Sequence, residues 1–503
     1  MKKRTRILVA LFWIFSVASL VIVERTGVKA AVPNMIMVYS KATTDTGHYS
    51  RTWNGTAWSG ETTMVTNSLD SRSQVVKCAR FKEECIALTS TGDPLYAQVW
   101  DGSTWSATTT LEQIIVGFYR PFDLAYEYGT DRAIVVTRSG ASGNNLVYTI
   151  WNGSTWSATS SITTPFTASS IRFVELDSQK FSTSTRIAMI ASDGNSDVYG
   201  MEWDGSSWSN MGITTMWDLN GGSATQKIVD VAYESASGAA IFAWANLTDS
   251  TTIYYKRWDG SSFTASSTVS VSTMSGEGHW VRLVANPYSA TNTMILGIQD
   301  AAASPDLHAV FWTGSAWVLG NGGDIDISTE NDLDMNFDIS FLNATTSGKA
   351  WIAWGDGTKV ARSRWNGSSW DSASTAGDDT AHTVLESSYQ NESMQLLVYQ
   401  HTDSVPDDLL EAHITNGGTT WSSDATIWGG ATIVDSVGFR MDMTPSRFYT
   451  YPTFTQAAYR FFENADDYTA GTALASAQDL PATTTSPGSP FRLRLLLHDA
   501  TAT

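Results

Sequence analysis

The sequence predicts an all-β protein, an eight-bladed β-propeller with four antiparallel strands in each blade. Two observations lead to this prediction. A short tryptophan-rich motif recurs eight times at a period of about 50 residues, and strand-like segments separated by turn residues fill each interval. Four short strands in about 50 residues are typical of one propeller blade. Seven blades with one additional hairpin is the alternative.

The recurring motif has the form W-[DN]-G-[ST]-x-W, as in WDGSTWS at Trp100 and WNGSTWS at Trp151. Asp-Gly and Asn-Gly favour the two central positions of a type I′ hairpin turn. Trp100 would then pair with Ser103. Gln98 would pair with Trp105, so both tryptophans would lie on one face of the hairpin and pack against a neighbouring blade. The aromatic positions predicted to be structural are Trp53, Trp58, Trp100, Trp105, Trp151, Trp156, Trp203, Trp208, Trp258, Trp312, Trp317, Trp365, Trp370 and Trp421.

The two ends of the repeat array predict how the ring closes. The first copy begins with MIMVYSK, which resembles the second strand of a blade and lacks the first strand. The segment from Ser436 to Met443 could supply that strand and would remove exposed sheet edges. We therefore assign residues 31–444 to the propeller. Residues 445–503 are predicted to begin a β-sandwich-like module, either truncated or shared with another chain.

Residues 1–30 are predicted to be a secretory signal peptide. The basic segment MKKRTR precedes an apolar run of 17 residues from Ile7 to Val23, and the sequence VKA ending at Ala30 fits a cleavage site. We expect a mature chain that starts near Ala31 and is secreted or held at the cell surface. A retained membrane anchor is the alternative, because 17 residues is the lower limit for a spanning helix.

The charge of the chain limits its partners. The 503 residues carry a formal net charge of −19, which repels phosphate backbones and argues against nucleic acid as a partner. Membrane contact is expected only through the N-terminal segment, if that segment is not cleaved. An extracellular glycan or protein is the expected ligand.

The two cysteines, Cys78 and Cys85, flank a predicted tight turn between two strands. Their sulfur atoms would lie across from each other, so a disulfide is plausible in an oxidising compartment. Two buried small residues are the alternative, because other repeats carry alanine at these positions.

One loop has the spacing of a calcium site. Asp193, Asn195 and Asp197 match the first three ligand positions of a calcium loop, but the expected glycine and glutamate further on are missing. An ordinary loop between strands is the simpler interpretation. The acidic stretch from Asp324 to Asp334 is a second candidate for calcium, with a role in surface solubility as the alternative, and no other cofactor is predicted.

The array resembles the repeat β-propellers of large bacterial surface proteins, in which sandwich modules with segments such as YRFFENAD and FRLRLLL follow the propeller. This resemblance covers nearly the whole chain and implies surface display. The motif is also distantly similar to the Asp-box S-x-D-x-G-x-x-W of sialidase-type propellers. Here the Asp adjoins the Gly directly.

Sialidase-like catalysis would need clustered arginines, a tyrosine nucleophile and acidic partners. Arg120, Arg172, Arg282 and Arg440 lie at or near inner-strand positions, but the sequence does not assign them a role. Contacts between blades or with solvent are the simpler interpretation, so no catalytic residue is predicted.

The sequence therefore favours an exported binding module for adhesion or recognition, with glycans as one candidate ligand. Variable polar loops between second and third strands, such as SGASGNN and DGNSD, are the expected binding surface. An enzyme acting on extracellular polysaccharide and a structural surface-layer component are the alternatives. The enzyme predicts carboxylate, arginine or tyrosine side chains that break the repeat symmetry.

Overall fold

The computed structural model describes part of the chain. The described residues are 35–41, 47–66, 73–90, 94–112, 119–140, 143–164, 169–209, 226–247, 251–301, 306–319, 324–328, 335–342, 348–356, 359–376, 380–387, 395–401, 408–415, 420–423, 425–429, 441–445, 454–463 and 491–499. The predicted signal peptide lies outside them. Among the described residues there is no helix long and apolar enough to cross a membrane.

The chain divides into two compact units, the first comprising residues 1–79 and 83–446 and the second residues 80–82 and 447–503. The described strands of the first unit are β1 (Met35–Tyr39), β2 (Gly47–Trp53), β3 (Thr62–Thr66), β4 (Ser73–Cys78), β5 (Cys85–Ser90), β6 (Leu95–Trp100), β7 (Thr109–Glu112), β8 (Phe122–Tyr126), β9 (Ala133–Ser139), β10 (Asn145–Trp151), β11 (Ser160–Ile162), β12 (Ile171–Ser178), β13 (Ile187–Asp193), β14 (Val198–Trp203), β15 (Trp208–Ser209), β16 (Val229–Tyr233), β17 (Ala240–Ala245), β18 (Thr252–Trp258), β19 (Ser267–Ser270), β20 (Gly278–Ala285), β21 (Met294–Asp300), β22 (Asp306–Trp312), β23 (Trp317–Val318), β24 (Asp324–Ser328), β25 (Phe337–Phe341), β26 (Ala350–Gly355), β27 (Val360–Trp365), β28 (Ser374–Ala376), β29 (Thr380–Ser387), β30 (Gln395–His401), β31 (Asp408–Thr415), β32 (Thr420–Trp421), β33 (Ala425–Gly429) and β34 (Met441–Pro445).

These strands form eight antiparallel sheets, each with one copy of the tryptophan motif. Sheet 1 is β3-β2-β1-β34, and sheets 2 to 5 are β4–β7, β8–β11, β12–β15 and β16–β19. Sheet 6 is β20–β24, sheet 7 is β25–β28 and sheet 8 is β29–β33. Sheets 6 and 8 have five strands because the outermost strand is in two pieces: β23 and β24 both pair with β22, and β32 and β33 both pair with β31. The predicted all-β propeller of four-stranded antiparallel blades is confirmed.

The ring closes with strands from both ends of the array. Strand β34 pairs with β1, with Met443 opposite Met37, and so supplies the first strand that the first motif copy lacks. The sequence predicted this strand at 436–443, of which 441–443 belong to β34 and 436–440 lie outside the described residues.

Neighbouring sheets are joined by aspartates on their first strands. The Oδ2 atom of Asp123 accepts the N–H of Leu176 in the next sheet at 2.8 Å, and Oδ1 accepts the N–H of Leu124. Asp230 binds Val231 and Leu283 in the same way. Asp442 binds Met443 and Val76 likewise. These bonds satisfy backbone donors on the edge that the sheet's own strands leave unpaired.

The predicted two-residue turn of the motif is wrong. Trp100 lies directly opposite Trp105, and the N–H of Asp101 donates to the carbonyl of Thr104 at 3.1 Å, so four residues form the loop. The Asp101 Oδ1 atom accepts the N–H groups of Ser103 and Thr104 at 2.8 and 2.7 Å. Among the four loop residues only the glycine has a positive φ, 96°, whereas a type I′ turn requires two.

In the motif copies that carry two tryptophans, the two indoles do lie on the same face. Their ring centroids are 5.5 Å apart for Trp100 and Trp105, and the other complete copies are similar. The first aromatic residue is buried in most copies, namely Trp53, Trp100, Trp203, Trp258, Trp312 and Trp365, while Trp151 is half-buried. The second is half-buried in every copy, namely Trp58, Trp105, Trp156, Trp208, Trp317, Trp370 and Trp421.

This face packs on the preceding sheet. The indole N–H of Trp203 in sheet 4 donates to Glu127 of sheet 3 at 2.7 Å, and that of Trp105 in sheet 2 donates to Ser50 of sheet 1 at 2.8 Å. Trp365 of sheet 7 stacks on Phe311 of sheet 6, with ring centroids 4.6 Å apart. The repeated tryptophans are therefore part of the boundaries between blades.

The structure joins Cys78 and Cys85 in a disulfide. The two residues are register partners at the turn between β4 and β5. The second compact unit contains an antiparallel pair, β35 (Phe454–Glu463) and β36 (Phe491–Asp499), with Tyr459 opposite Leu495.

Asn152 provides a test of the motif loop. Its Oδ1 accepts the N–H groups of Ser154 and Thr155, both at 2.9 Å. Asn152→Ala removes this acceptor and should lower the free energy of unfolding by about 1 kcal/mol in urea denaturation. Asn152→Asp keeps the acceptor, as Asp101 does in another copy, and should leave stability nearly unchanged. Equal effects of the two substitutions would contradict the account.

Candidate binding site

Charged side chains on the inner strands form a continuous belt across several sheets. Arg120 contacts Glu175 at 2.5 Å, and Lys227 lies between Glu175 at 3.7 Å and Asp230 at 3.0 Å. The belt continues through Arg282, which lies 4.0 Å from Asp230 and 3.0 Å from Asp338. For Arg120 and Arg282 the structure thus supports the simpler of the two interpretations, contacts between blades. Arg440 lies outside the described residues.

Burial and neighbouring charges shift the pKa values in this belt. Burial alone would lower the pKa of Arg120, but the carboxylates of Glu175, Asp123 and Asp442 raise it above its usual value. Burial raises the pKa of Asp123 to about 6, and the negative charge of Glu175 adds to that effect. The belt is therefore a network in which most charges are paired.

One arginine breaks the repeat. Arg138 is the penultimate residue of β9, the second strand of sheet 3, and is only 4% exposed. The registers place small or neutral residues at the equivalent position in other sheets, namely Ser40, Ser90, Ser192, Ala245, Gln299 and Gly355. Sequence reasoning did not single out Arg138. Superposing the repeats strand by strand would have revealed it.

Arg138 faces sheet 4. Its Nη1 donates to the Ser170 hydroxyl and to the Ile171 carbonyl, both at 3.2 Å. No described carboxylate forms an ion pair with it, and burial lowers its pKa. Gly143 covers the side chain: its φ is +64°, and a Cβ there would come within 2.8 Å of the arginine Cδ. The glycine is thus required by both the backbone conformation and the close approach.

A second arginine and a tyrosine lie at the same boundary between sheets. The guanidinium carbon of Arg172, on β12, lies 4.9 Å from the ring centroid of Tyr119, which in turn contacts Phe173 edge to face. The structure therefore brings together Arg138, Arg172, Tyr119 and Ser170 at the boundary between sheets 3 and 4. We name these four residues the sheet 3/4 crevice.

The crevice lies at the end of the sheets predicted to bind ligand. Gly143 belongs to the loop between the second and third strands of sheet 3, and its carbonyl accepts the N–H of Ile171 at 2.8 Å. Asn144 and Asn145 follow it and are exposed. Guanidinium groups, hydroxyls and an aromatic ring close together suit the binding of a polar ligand.

The predicted calcium loop borders this crevice. The Oδ1 atom of Asp193 accepts the N–H groups of Asn195 and Asp197 at 2.9 and 3.1 Å, and Oδ2 accepts the N–H of Ser169 at 2.6 Å. Asp193 therefore shapes the hairpin and fixes the start of β12. Calcium at this loop stays a prediction. In the other acidic stretch, 324–328 form β24 and 329–334 lie outside the described residues.

The sequence did not single out a similar cluster in sheet 6. Asp300, Asp306 and His308 have potential ligand atoms within 4.8 Å of one another. Oδ2 of Asp300 accepts the N–H groups of Ser275 and Gly276, and Oδ1 accepts the N–H of Asp306. Asp300 occupies the place that Asp193 has in sheet 4. Like Asp193, it accepts backbone N–H groups and so has a structural role.

The chain was compared with protein-family models, curated proteins and solved structures. No protein-family model matches the chain, and no curated protein matches its sequence. The chain is similar in structure to the fucose-binding lectin of Aleuria aurantia, with 12% identity, coverage of 62% of this chain and 97% of the lectin, and a TM-score of 0.34. For AofleA of Arthrobotrys oligospora the identity is 12%, the coverage 66% and 91%, and the TM-score 0.37. For the GH74 enzyme of Niastella koreensis the identity is 13%, the coverage 72% and 68%, and the TM-score 0.39.

The raised pKa of Asp123 in the belt predicts how the stability of the protein depends on pH. Because the folded pKa of Asp123, about 6, exceeds its ordinary value of 3.8, the folded state holds a proton that the unfolded state releases between these values. The contribution of this carboxyl to stability is fully present below about pH 4 and is lost as the pH rises through about 6. In urea denaturation, the free energy of unfolding of wild type should fall on the order of 2–3 kcal/mol relative to that of Asp123→Asn between about pH 4 and 7.

Asp259 provides the control. Hydrogen bonds from the N–H of Ser262 and from Ser261 lower its pKa to about 2, so it is ionised throughout that range. Asp259→Asn should leave the pH dependence between about pH 4 and 7 unchanged. A pH dependence in Asp123→Asn equal to that of wild type would refute the assignment.

Proposed function

We propose that this protein is a carbohydrate-binding propeller whose ligand binds in the sheet 3/4 crevice. The observation that carries the proposal is the break in repeat symmetry at Arg138. The other sheets carry small or neutral residues at this position, so the arginine is not required by the fold. A side chain that departs from the repeat beside an exposed loop suits binding better than packing.

The chemistry of the crevice fits a sugar. Sugar hydroxyls need several hydrogen-bond partners in fixed positions, and Arg138, Arg172, Tyr119 and Ser170 provide donors and acceptors on or next to neighbouring strands. Arg138 and Arg172 lie on strands β9 and β12, so little backbone entropy is lost there when a ligand binds.

The nearby carboxylates favour binding over hydrolysis. Glycoside hydrolysis usually requires two carboxyl groups free to act on the substrate. Glu175 is engaged by Arg120 and Lys227, Asp177 accepts the N–H of Tyr233 at 2.7 Å, and Asp193 accepts three backbone N–H groups. Within the described part of β12 and β13, the carboxylates thus have structural roles.

We further propose that the protein acts outside the cell, in adhesion or recognition. The basic and apolar N-terminal segment supports export. The disulfide between Cys78 and Cys85 is in keeping with an oxidising compartment.

A glycan-array screen of the full-length protein tests the proposal. We expect reproducible binding to one glycan class and about tenfold weaker binding by Arg172→Ala, because a charged hydrogen bond contributes about 1.5–3 kcal/mol. Lys256→Ala is the matched control, since Lys256 is a half-buried cation on β18 in sheet 5. If folded protein binds no glycan, the proposed carbohydrate-binding function is wrong. If both variants weaken binding equally, the proposed location of the site in the sheet 3/4 crevice is wrong.

A further inference from the structure

Arg138 differs from most of the other arginines that the structure describes in the propeller. Six of them have a carboxylate oxygen at 2.5–3.0 Å, namely Arg120, Arg132, Arg186, Arg257, Arg282 and Arg364. Arg138 has no such partner among the described residues, although it is more deeply buried than most of them. A buried charge without a counter-charge is costly, so this site is electrostatically incomplete.

The segments outside the described residues that directly adjoin the crevice in the sequence contain no carboxylate. The segments 113–118, 141–142 and 165–168 adjoin Tyr119, Gly143 and Ser169 in the sequence, and none of them contains aspartate or glutamate. The nearest carboxylates along the strands are engaged elsewhere, because Glu175 pairs with Arg120 and Lys227 and Asp193 accepts backbone N–H groups.

We propose that Arg138 binds an oxyanionic group of the ligand, a carboxylate or a sulfate ester of an acidic glycan. This inference rests on the proposed function and specifies its ligand class. The Nη2 group of Arg138 donates no hydrogen bond among the described residues, while Nη1 is held by Ser170 and Ile171. The guanidinium is thus oriented by the protein and retains donors for an oxyanion.

The surroundings favour an anion at this point in spite of the acidic chain. Arg172 adds a second cation at the same boundary between sheets. Burial lowers the pKa of Arg138, in keeping with the absence of an ion pair with any described carboxylate. Because the chain carries a formal net charge of −19, distant charges repel an anionic ligand, and binding must come from this local pair of arginines.

The variant Arg138→Ser suits the test, because serine occupies the equivalent position in sheets 1, 2 and 4. It removes a buried charge, so the variant should unfold at the same temperature as wild type or higher. Lys256→Ser removes a half-buried cation from sheet 5 and serves as the matched control.

Calorimetric titration of the full-length protein with glucuronate, glucose 6-sulfate and glucose tests whether Arg138 binds an oxyanion. We expect at least one of the two acids to bind about tenfold more tightly than glucose, and Arg138→Ser to abolish that difference while Lys256→Ser keeps it. The same acid should raise the melting temperature of wild type and of Lys256→Ser but not that of Arg138→Ser. Preference for glucuronate or for the sulfate identifies which oxyanion the site takes.

Three outcomes would overturn the inference: equal affinity for acids and glucose, an unchanged preference in Arg138→Ser, or no binding of either acid. If the glycan array still shows binding to neutral sugars in any of these cases, the proposed function stands and only the anionic ligand class fails. If the array is silent as well, both fail together.

Discussion

The first strand of each sheet has an edge that its own sheet does not pair, and the propeller depends on how that edge is satisfied. Asp123, Asp230 and Asp442 each accept a backbone N–H from the first strand of the next sheet. Each also accepts the N–H of the residue that follows it, which fixes the carboxylate. One short side chain thereby fixes the spacing of neighbouring sheets, and the tryptophans of the motif fill the space that this spacing leaves.

These aspartates also explain why basic residues are needed on the inner strands. Burial raises the pKa of Asp123, and repulsion between carboxylates brought together at the inner strands adds to that effect. Arg120, Lys227 and Arg282 lie between the acidic groups of successive sheets and offset this repulsion. Charges are paired in this belt because closing the ring brings the acidic groups of successive sheets close together. Arg138 is not accounted for by this requirement, since it lies on a second strand and pairs with no described carboxylate.

The sequence predicted those features that depend on local pattern. The motif period indicated repeated four-stranded sheets, and alternation along the hairpin placed the two indoles on one face. The turn itself was wrong, because the side chain of Asp101 accepts two backbone N–H groups and stabilises a four-residue loop that propensity for Asp-Gly does not reveal. The pairing of the belt arginines could not be predicted, for a different reason. Arg120 and Glu175 are 55 positions apart, so which arginines are paired becomes apparent only from the register of neighbouring sheets.

Two boundaries between sheets differ in the side chains that fill them. Between sheets 5 and 6, Ala245 occupies the place of Arg138, and a Cβ on Gly278 would come within 2.9 Å of the Ala245 Cβ, so the boundary is closed by small residues in contact. Between sheets 3 and 4, Ile171 takes the place of Gly278, and the long side chain of Arg138 is held beside it by Gly143 and Ser170. The equivalent strands pair in the same antiparallel way at both boundaries. A few side-chain replacements thus put polar and positively charged groups where another boundary has small residues in contact.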